Sequence, residues 1–340
     1  MKEDRRVIIY GAGDYGKKLL NILNDCGVKV DYFCQTEVEE KEYTVQGICV
    51  LSIKQLFQMP GTKIILIAIK DTKTSQQIKR ELEKYAEEIL VYECGRFIEQ
   101  NAGKYCMICD TYVNHFGSTG IKGKIFEEHH IIGGGYRENA VCPYCHGIDR
   151  ERWEMYVLSH YTDIFEASSR ILHFAPEENI QNKIKSNEKN DYYACDLMEG
   201  KAMHMIDVTD IPFMDNTFDY IIINHVLEHV PDEGKAMSEM IRVLKPNGKI
   251  IMSFPICTDQ KTMEDKRIKT PEERLCYYGQ EDHVRLYGSD YKERLEQYGV
   301  EFNVYSPENE CSDMEIEKYG FIRDDIILIG RIPEKAERVL

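Results

Sequence analysis

Apolar residues in this chain gather into short solid runs separated by amphipathic stretches, the alternation expected of strands and helices in an α/β protein. Phe218–Asn224 (FDYIIIN) is a run of aromatic and β-branched residues, short enough for a strand buried on both faces. Residues 232–244 then set Ala236, Met237, Met240, Ile241 and Leu244 at helical spacing, with acidic residues at the start. Pro246-Asn247-Gly248 stops that helix, and 249–254 (KIIMSF) reads as a second buried strand. Strand, crossover helix and strand make a βαβ unit with parallel pairing. Ligands of such sheets sit at the carboxyl ends of strands, here 224–229 and 255–256.

The same reading extends in both directions. Residues 151–161 form a helix, 170–176 (RILHFAP) a first strand, 190–195 a second ending at Asp196, and 202–206 a third ending at Asp207. A helix at 289–298 stops at Gly299, and strands at 300–305 and 325–332 bring the sheet to seven. In the loop before them, Thr270 starts a helix with Pro271 at its first position and Glu273 at the capping-box position. At the other end of the chain, 5–10 (RRVIIY) is a strand running into Gly11-Ala12-Gly13-Asp14-Tyr15-Gly16, and a helix follows with Leu19, Leu20, Ile22 and Leu23 inward. Strands at 28–34, 47–51, 63–69 and 88–92 alternate with helices at 53–58 and 74–86. The expected architecture is α/β: two doubly wound Rossmann-like domains, 1–100 and 154–340, joined by a small module at 101–153.

The acidic composition narrows the choice of partners. Lys plus Arg total 43 against 59 Asp plus Glu, a formal charge of -16, which works against sequence-independent binding to nucleic acid or anionic membranes. No apolar run reaches the roughly 18 residues of a membrane helix, and MKEDRRVIIY does not begin a signal peptide. Twelve cysteines without secretory features suggest reduced thiols and metal ligation, so a cytoplasmic protein is expected.

Cys106-x-x-Cys109 and Cys142-x-x-Cys145 are separated by 32 residues (110–141). Each pair can chelate from a tight knuckle, and two knuckles complete a tetrahedral Cys₄ site for a structural Zn²⁺, with a long hairpin between them. Free buried cysteines or a redox pair are the alternatives. Gly11, Gly13 and Gly16 form a G-x-G-x-x-G string between strand and helix, the context in which a phosphate approaches a helix N-terminus. The acid that a dinucleotide ribose needs is missing: Gln35 ends the second strand, with Glu37 beyond and Asp31 inside. A phosphate-bearing ligand and a vestigial scaffold both fit this pattern.

Residues 207–256, DVTDIPFMDNTFDYIIINHVLEHVPDEGKAMSEMIRVLKPNGKIIMSFPI, resemble the core of class I S-adenosylmethionine-dependent methyltransferases of the broad type 11 kind. The shared features are an acid after the third strand, an I-P-F turn, a fourth strand ending in a loop with His, and R-V-L-K-P-x-G. The resemblance implies a seven-stranded methyltransferase sheet, with Asp196 accepting the ribose hydroxyls of the donor and Asp207 with Val208 facing its adenine. Residues 45–56 resemble small Rossmann-like domains appended to sugar-modifying enzymes, which points to a small-molecule acceptor such as a sugar or nucleotide-sugar. Cys142-Pro-Tyr-Cys145 with Arg150 and Arg152 resembles a zinc ribbon fused ahead of some methyltransferase domains.

One stretch departs from the family. A D-x-G-x-G loop is usual after the first strand, but here His173-Phe174-Ala175-Pro176-Glu177 stands, as in a subgroup carrying L-H-x-A-P-E. Without glycine, positive φ is disfavoured, so the donor's methionine end is expected to meet His173, Ala175 and Glu177 instead. His225-x-x-Glu228-His229 also matches the string of inverted zinc proteases, but Pro231 follows too closely for a helix to present both imidazoles. At the end of the fourth strand, Asn224 and His225 instead face the methyl-transfer pocket. Within 279–288, His283 is the candidate general base, Asp282 or Glu281 its orienting acid and Arg285 an anion holder; a salt-bridged closing loop is the competing reading. The function expected is therefore methyl transfer to a small molecule. The alternative is a catalytically silent methyltransferase-fold scaffold that recruits a protein partner through its two N-terminal modules.

Overall fold

The computed structural model describes residues 5–38, 43–85, 89–101 and 103–333; Ala86 and Glu88, placed above in a helix and a strand, lie outside these. The chain divides into two compact units, Met1–Phe116 with Cys142–Cys145, and Gly117–Val141 with His146–Leu340.

In the first unit a six-stranded sheet runs Thr44–Val45, Ile48–Ser52, Tyr32–Gln35, Arg5–Tyr10, Thr62–Ile67, Ile89–Glu93. All pairings are parallel except the short hairpin of the first two. Counting the parallel strands alone gives the order 3-2-1-4-5 of a doubly wound sheet. Both faces are apolar because alternate residues serve different cores: Ile9 packs with Leu19, Leu20 and Phe33, while Ile8 and Tyr10 pack with Leu56, Ile65 and Leu82.

The second unit is built on a seven-stranded sheet in the order His204–Met205, Asp191–Asp196, Arg170–Phe174, Phe218–Asn224, Leu244–Ser253, Ile327–Arg331, Glu301–Tyr305. The first five are mutually parallel, and Ile327–Arg331 is inserted antiparallel between its neighbours. The helix Glu233–Val243 covers one face with Ala236, Met237, Met240 and Val243, all fully buried against Ile221, Ile223 and Ile250. Pro246-Asn247-Gly248 does end this helix, but the strand already begins at Leu244: the turn sits inside it as an irregularity, with Asn247 at φ +66°. The helix Pro271–Tyr278 has the expected capping box between Thr270 and Glu273 and closes on Gly279 at φ +86°.

Residues 101–153 do not form one module. Gly117–Thr119 pairs with Arg137–Val141, and the buried Arg152 guanidinium ties that hairpin to the C-terminal end of the helix Asp313–Tyr319. It donates to the carbonyls of Asn139, Ala140 and Gly147 on one side and of Tyr319 and Gly320 on the other. Carbonyls buried at these places need a donor, and one planar fork supplies it. Among the described residues no helix is long and apolar enough to cross a membrane.

Candidate functional site

In the second unit, two cavities open where the strands present their carboxyl ends. The larger, about 590 Å³, is lined by Ala175, Asp196, Asp207, Val208, His225 and His229 among others. Its size lies within the ~300–1,000 Å³ of small-molecule sites. Asp196 ends its strand, and its Oδ1 accepts the Met198 amide at 2.8 Å. Asp207 stays exposed at the rim, its Oδ1 accepting both the amide and the hydroxyl of Thr209 at 2.8 Å. Each aspartate thus shapes its own turn with one oxygen and leaves Oδ2 without a hydrogen bond to the described residues.

The turn after Arg170–Phe174 corrects the expectation drawn from its missing glycines. Ala175 adopts φ +46° and donates its amide to the Cys195 carbonyl at 2.8 Å. A methyl side chain tolerates the left-handed region at about 1–2 kcal/mol, so the backbone turns as it would with glycine. Pro176 is not among the residues lining the cavity.

Three residues expected on the donor lie elsewhere. His173 is fully buried, its Nδ1 3.0 Å from the Tyr192 hydroxyl and its Nε2 3.2 Å from Glu177. Burial pushes the Glu177 carboxyl up, but the hydrogen bond and charge of His173, with the charge of His225, hold it below its usual range. The pair satisfy each other, and neither lines a cavity described here. Asn224, also buried, accepts from the Ser253 hydroxyl at 3.0 Å.

The smaller cavity, about 340 Å³, shares His225 and His229 with the larger one. Its other walls include Gly133–Gly135, Arg137, Arg150, Glu228, Tyr278 and His283. Motif reading did not place the glycine run, Arg137 or Arg150 in this site; Gly133-Gly134-Gly135 stands out in the sequence as a run, Arg150 only by its spacing behind the second cysteine pair, and Arg137 carries no signal. His225 follows the strand Phe218–Asn224 at φ +53°, with Nδ1 3.4 Å from Glu228 and Nε2 3.1 Å from an Arg150 nitrogen. Burial and then the Arg150 charge lower its pKa, which favours the neutral ring. Glu228 is pushed up by burial, but its hydrogen bond to His225, ahead of its electrostatic coupling to the His225 and His283 rings, brings it below its usual range. The H-x-x-E-H string holds no more than a single helical turn, Leu227–His229.

The 279–288 loop is placed differently from the expected base-and-acid pair. Asp282 faces His229, at 3.1 Å, while His283 is buried and sets Nδ1 3.1 Å from the Tyr278 carbonyl. Burial lowers the His283 pKa, so it faces the cavity as a neutral imidazole. Arg285 is fully buried, with its guanidinium turned onto protein groups. It donates to the carbonyls of Leu227, Val230 and Pro231 and to Glu264, clamping the loop that carries Glu228 and His229.

In the first unit the four thiols of Cys106, Cys109, Cys142 and Cys145 converge within 4.8 Å of one another. The Cys106–Cys145 and Cys109–Cys142 separations are 3.7 and 3.8 Å. Four sulfurs each ~2.3 Å from a tetrahedral Zn²⁺ would lie ~3.8 Å apart, so the donor set fits that ion. The tight turns beyond each pair put Asp110 at φ +53° and His146 at φ +58°. Of the glycine string, Gly11 turns at φ +104°, and a Cβ on Gly16 would lie 1.9 Å from the Gly11 carbonyl oxygen. Gly13 has open space around it. Gly16 therefore serves close packing of the helix Asp14–Asp25 on the first strand.

Comparison with known proteins bears on the second unit. Residues 162–252 match the family model described as a methyltransferase domain. The demethylmenaquinone methyltransferases of Bacillus cereus (strain B4264) and Bacillus anthracis (strain CDC 684 / NRRL 3495) are each 44% identical over 68 residues, 20% of this chain and 25% of the relative. The chain thus spans about a quarter of the length of these curated relatives. Among solved structures, the PH0226 protein from Pyrococcus horikoshii OT3 is 18% identical, with a TM-score of 0.36, over 54% of this chain and 91% of that one. A SAM-dependent methyltransferase from Aquifex aeolicus is likewise 18% identical, with a TM-score of 0.36, over 53% and 89%. By the family match, residues 162–252 carry a methyltransferase domain, on a sheet whose strand order is 3-2-1-4-5-7-6.

Proposed function

We propose that the chain transfers a methyl group from S-adenosylmethionine to a hydroxyl-bearing small molecule, a sugar or nucleotide-sugar. The observation that carries this reading is the pair of adjoining cavities sharing His225 and His229, with Asp196 and Asp207 both on the larger. Asp196 Oδ2 would accept the ribose hydroxyls, and Asp207 with the Val208 amide would face adenine. When bound, the donor supplies an electrophilic methyl on a sulfonium. The chain's own residues align and enclose: the left-handed turn at Ala175 lines the larger cavity, and the loop at 227–231, held by Arg285, gives residues to both chambers. The smaller chamber suits a hydroxyl-rich acceptor because its walls present Arg137, Arg150, Glu228, His229, Gln280 and His283. In the same reading, the Cys₄ cluster holds a structural Zn²⁺. The glycine turn at Gly11 and Gly13 takes a phosphate-bearing ligand.

The test is calorimetry with S-adenosylhomocysteine, followed by labelled-methyl transfer to a panel of nucleoside-diphosphate sugars. Micromolar binding and label in one or more sugars are expected. No heat from folded protein refutes donor binding. Binding without transfer to any sugar refutes the acceptor class and favours the silent scaffold.

A further inference from the structure

Methyl transfer by alignment alone leaves one cluster without a task. Glu228, His229 and His283 bring one ligand-capable atom each within 4.8 Å of the others at the smaller cavity. Glu228 is only 1% exposed, yet its Oε2 has no hydrogen-bond partner. A buried carboxylate oxygen left bare costs about 1–3 kcal/mol or more, so a fold that keeps one has an unmet requirement there.

The two imidazoles are presented as metal ligands usually are. His229 Nδ1 lies 3.1 Å from the Asp282 carboxylate, and His283 Nδ1 lies 3.1 Å from the Tyr278 carbonyl. The Tyr278 carbonyl fixes the His283 proton on Nδ1 and leaves the lone pair on Nε2, the second-shell pattern of ligating histidines, and the Asp282 carboxylate stands beside His229 Nδ1 in the same sense. The rings meet edge to face, with centroids 4.6 Å apart. The backbone is locked around them: the Val284 amide donates to the Glu228 carbonyl at 2.8 Å, and Arg285 clamps Leu227 and Val230. The donors come from two separate loops that these bonds hold in register.

We propose that Glu228, His229 and His283 bind one divalent transition-metal cation of the Mn²⁺ class, with its open coordination positions directed at the acceptor hydroxyl. Two imidazoles and one carboxylate form an N/O donor set suited to Mn²⁺ and its neighbours, whereas thiolates select softer ions. The cation therefore does not compete for the Cys₄ site. Its role in the reaction rests on the methyl-transfer reading. The bound hydroxyl becomes more acidic and releases its proton to water. Its oxygen forms the new C–O bond as the carbon–sulfur bond breaks and that electron pair returns to sulfur.

The experiment is a Mn²⁺ titration of the full chain carrying one equivalent of zinc, which the Cys₄ thiolates take, followed by the loss of the free-ion electron paramagnetic resonance signal. One Mn²⁺ per chain is expected for the wild type. E228Q and H283N should abolish uptake, and D282N should weaken it about 10–100-fold, as loss of a second-shell partner does. Asp282 is exposed, so D282N keeps the test meaningful even where the buried variants fail to fold. No uptake by folded wild type, or unchanged affinity in E228Q and H283N, overturns the site. S-adenosylhomocysteine calorimetry on the same samples separates the two ideas: Mn²⁺ uptake without nucleoside binding sinks the donor reading alone. Nucleoside binding without Mn²⁺ sinks the metal site alone.

Discussion

Asp196 offers the most direct access to the donor reading, because its two oxygens have separate duties. Oδ1 holds the Met198 amide at 2.8 Å, Oδ2 makes no hydrogen bond to the described residues, and Asp196 lines the larger cavity. A carboxylate that accepts two ribose hydroxyls makes two charge-assisted bonds, each contributing about 1.5–3 kcal/mol. Water in the emptied space recovers part of this, so D196A should lose about 3 kcal/mol, or about 100-fold in Kd for S-adenosylhomocysteine. D196N keeps the shape and one acceptor but loses the charge, and about 1.5 kcal/mol, or about 10-fold, is expected. Asp191 begins the same strand and pairs at the surface with Arg170, so D191N is the matched control and should bind as wild type. Calorimetry on the three variants reads the series directly. Should D196A bind within about three-fold of a binding-competent wild type, the ribose assignment is wrong.

Other expectations follow from the same geometry. Purified protein should contain about one zinc per chain, and chelation should unfold the first unit selectively, with C106S reproducing the loss; metal-free protein with that unit intact would contradict the Cys₄ assignment. Burial and then the Asp149 charge raise the Asp325 pKa to about 7, despite the offsetting charges of Arg150 and Arg137. Folded chains therefore keep a proton that unfolded chains release above pH ~3.9, so stability is full below that pH and falls as pH rises to about 7. D325N should flatten this slope and stabilise the protein at pH ~8 by about 2–4 kcal/mol, readable in denaturant melts at the two pH values. G16A should disrupt the first unit, since a Cβ there would lie 1.9 Å from the Gly11 oxygen, whereas G13A should leave its stability unchanged. Limited proteolysis of the two variants would show equal resistance if that packing argument fails.

Much of the fold was legible because buried strands announce themselves. Phe218–Asn224 matches its apolar run residue for residue, since every position but one is fully enclosed. The third strand of the second sheet is harder to read for the opposite reason. It shrinks from the expected 202–206 to His204–Met205 because it lies at the edge, where Met203 and Met205 stay exposed and pattern no longer constrains pairing. The spacing of the cysteine pairs pointed to the thiol cluster, but not to the course of the chain between them. Residues 117–141 join the second unit through the pairing of Ile131–Ile132 with Ile256–Cys257 and through the Arg152 carbonyl bonds, contacts between distant positions that no local period encodes.

Site residues divide along the same line. Asp196 and Asp207 could be placed because a strand end is a feature of local sequence. Partner choice is not local. Asn224 stands in register with Ser253 on the neighbouring strand, and that hydroxyl takes its side chain out of the cavity. His173 and Glu177 resemble two ligand-facing groups, yet each is the other's nearest counterion. Asp282 and His283 are adjacent in sequence, but the loop turns one toward His229 and the other toward the Tyr278 carbonyl. The electrostatics make the consequence plain. Burial pushes Glu154 well above the carboxylate range, and its Oε1 lacks a partner, while Asp325 is raised to about 7. Buried, imperfectly paired acids of this kind contribute little to stability and often lower it. Both acids act on Arg150, which lines the smaller cavity beside two neutral imidazoles, and that arrangement is better explained by chemistry carried out there than by the requirements of folding.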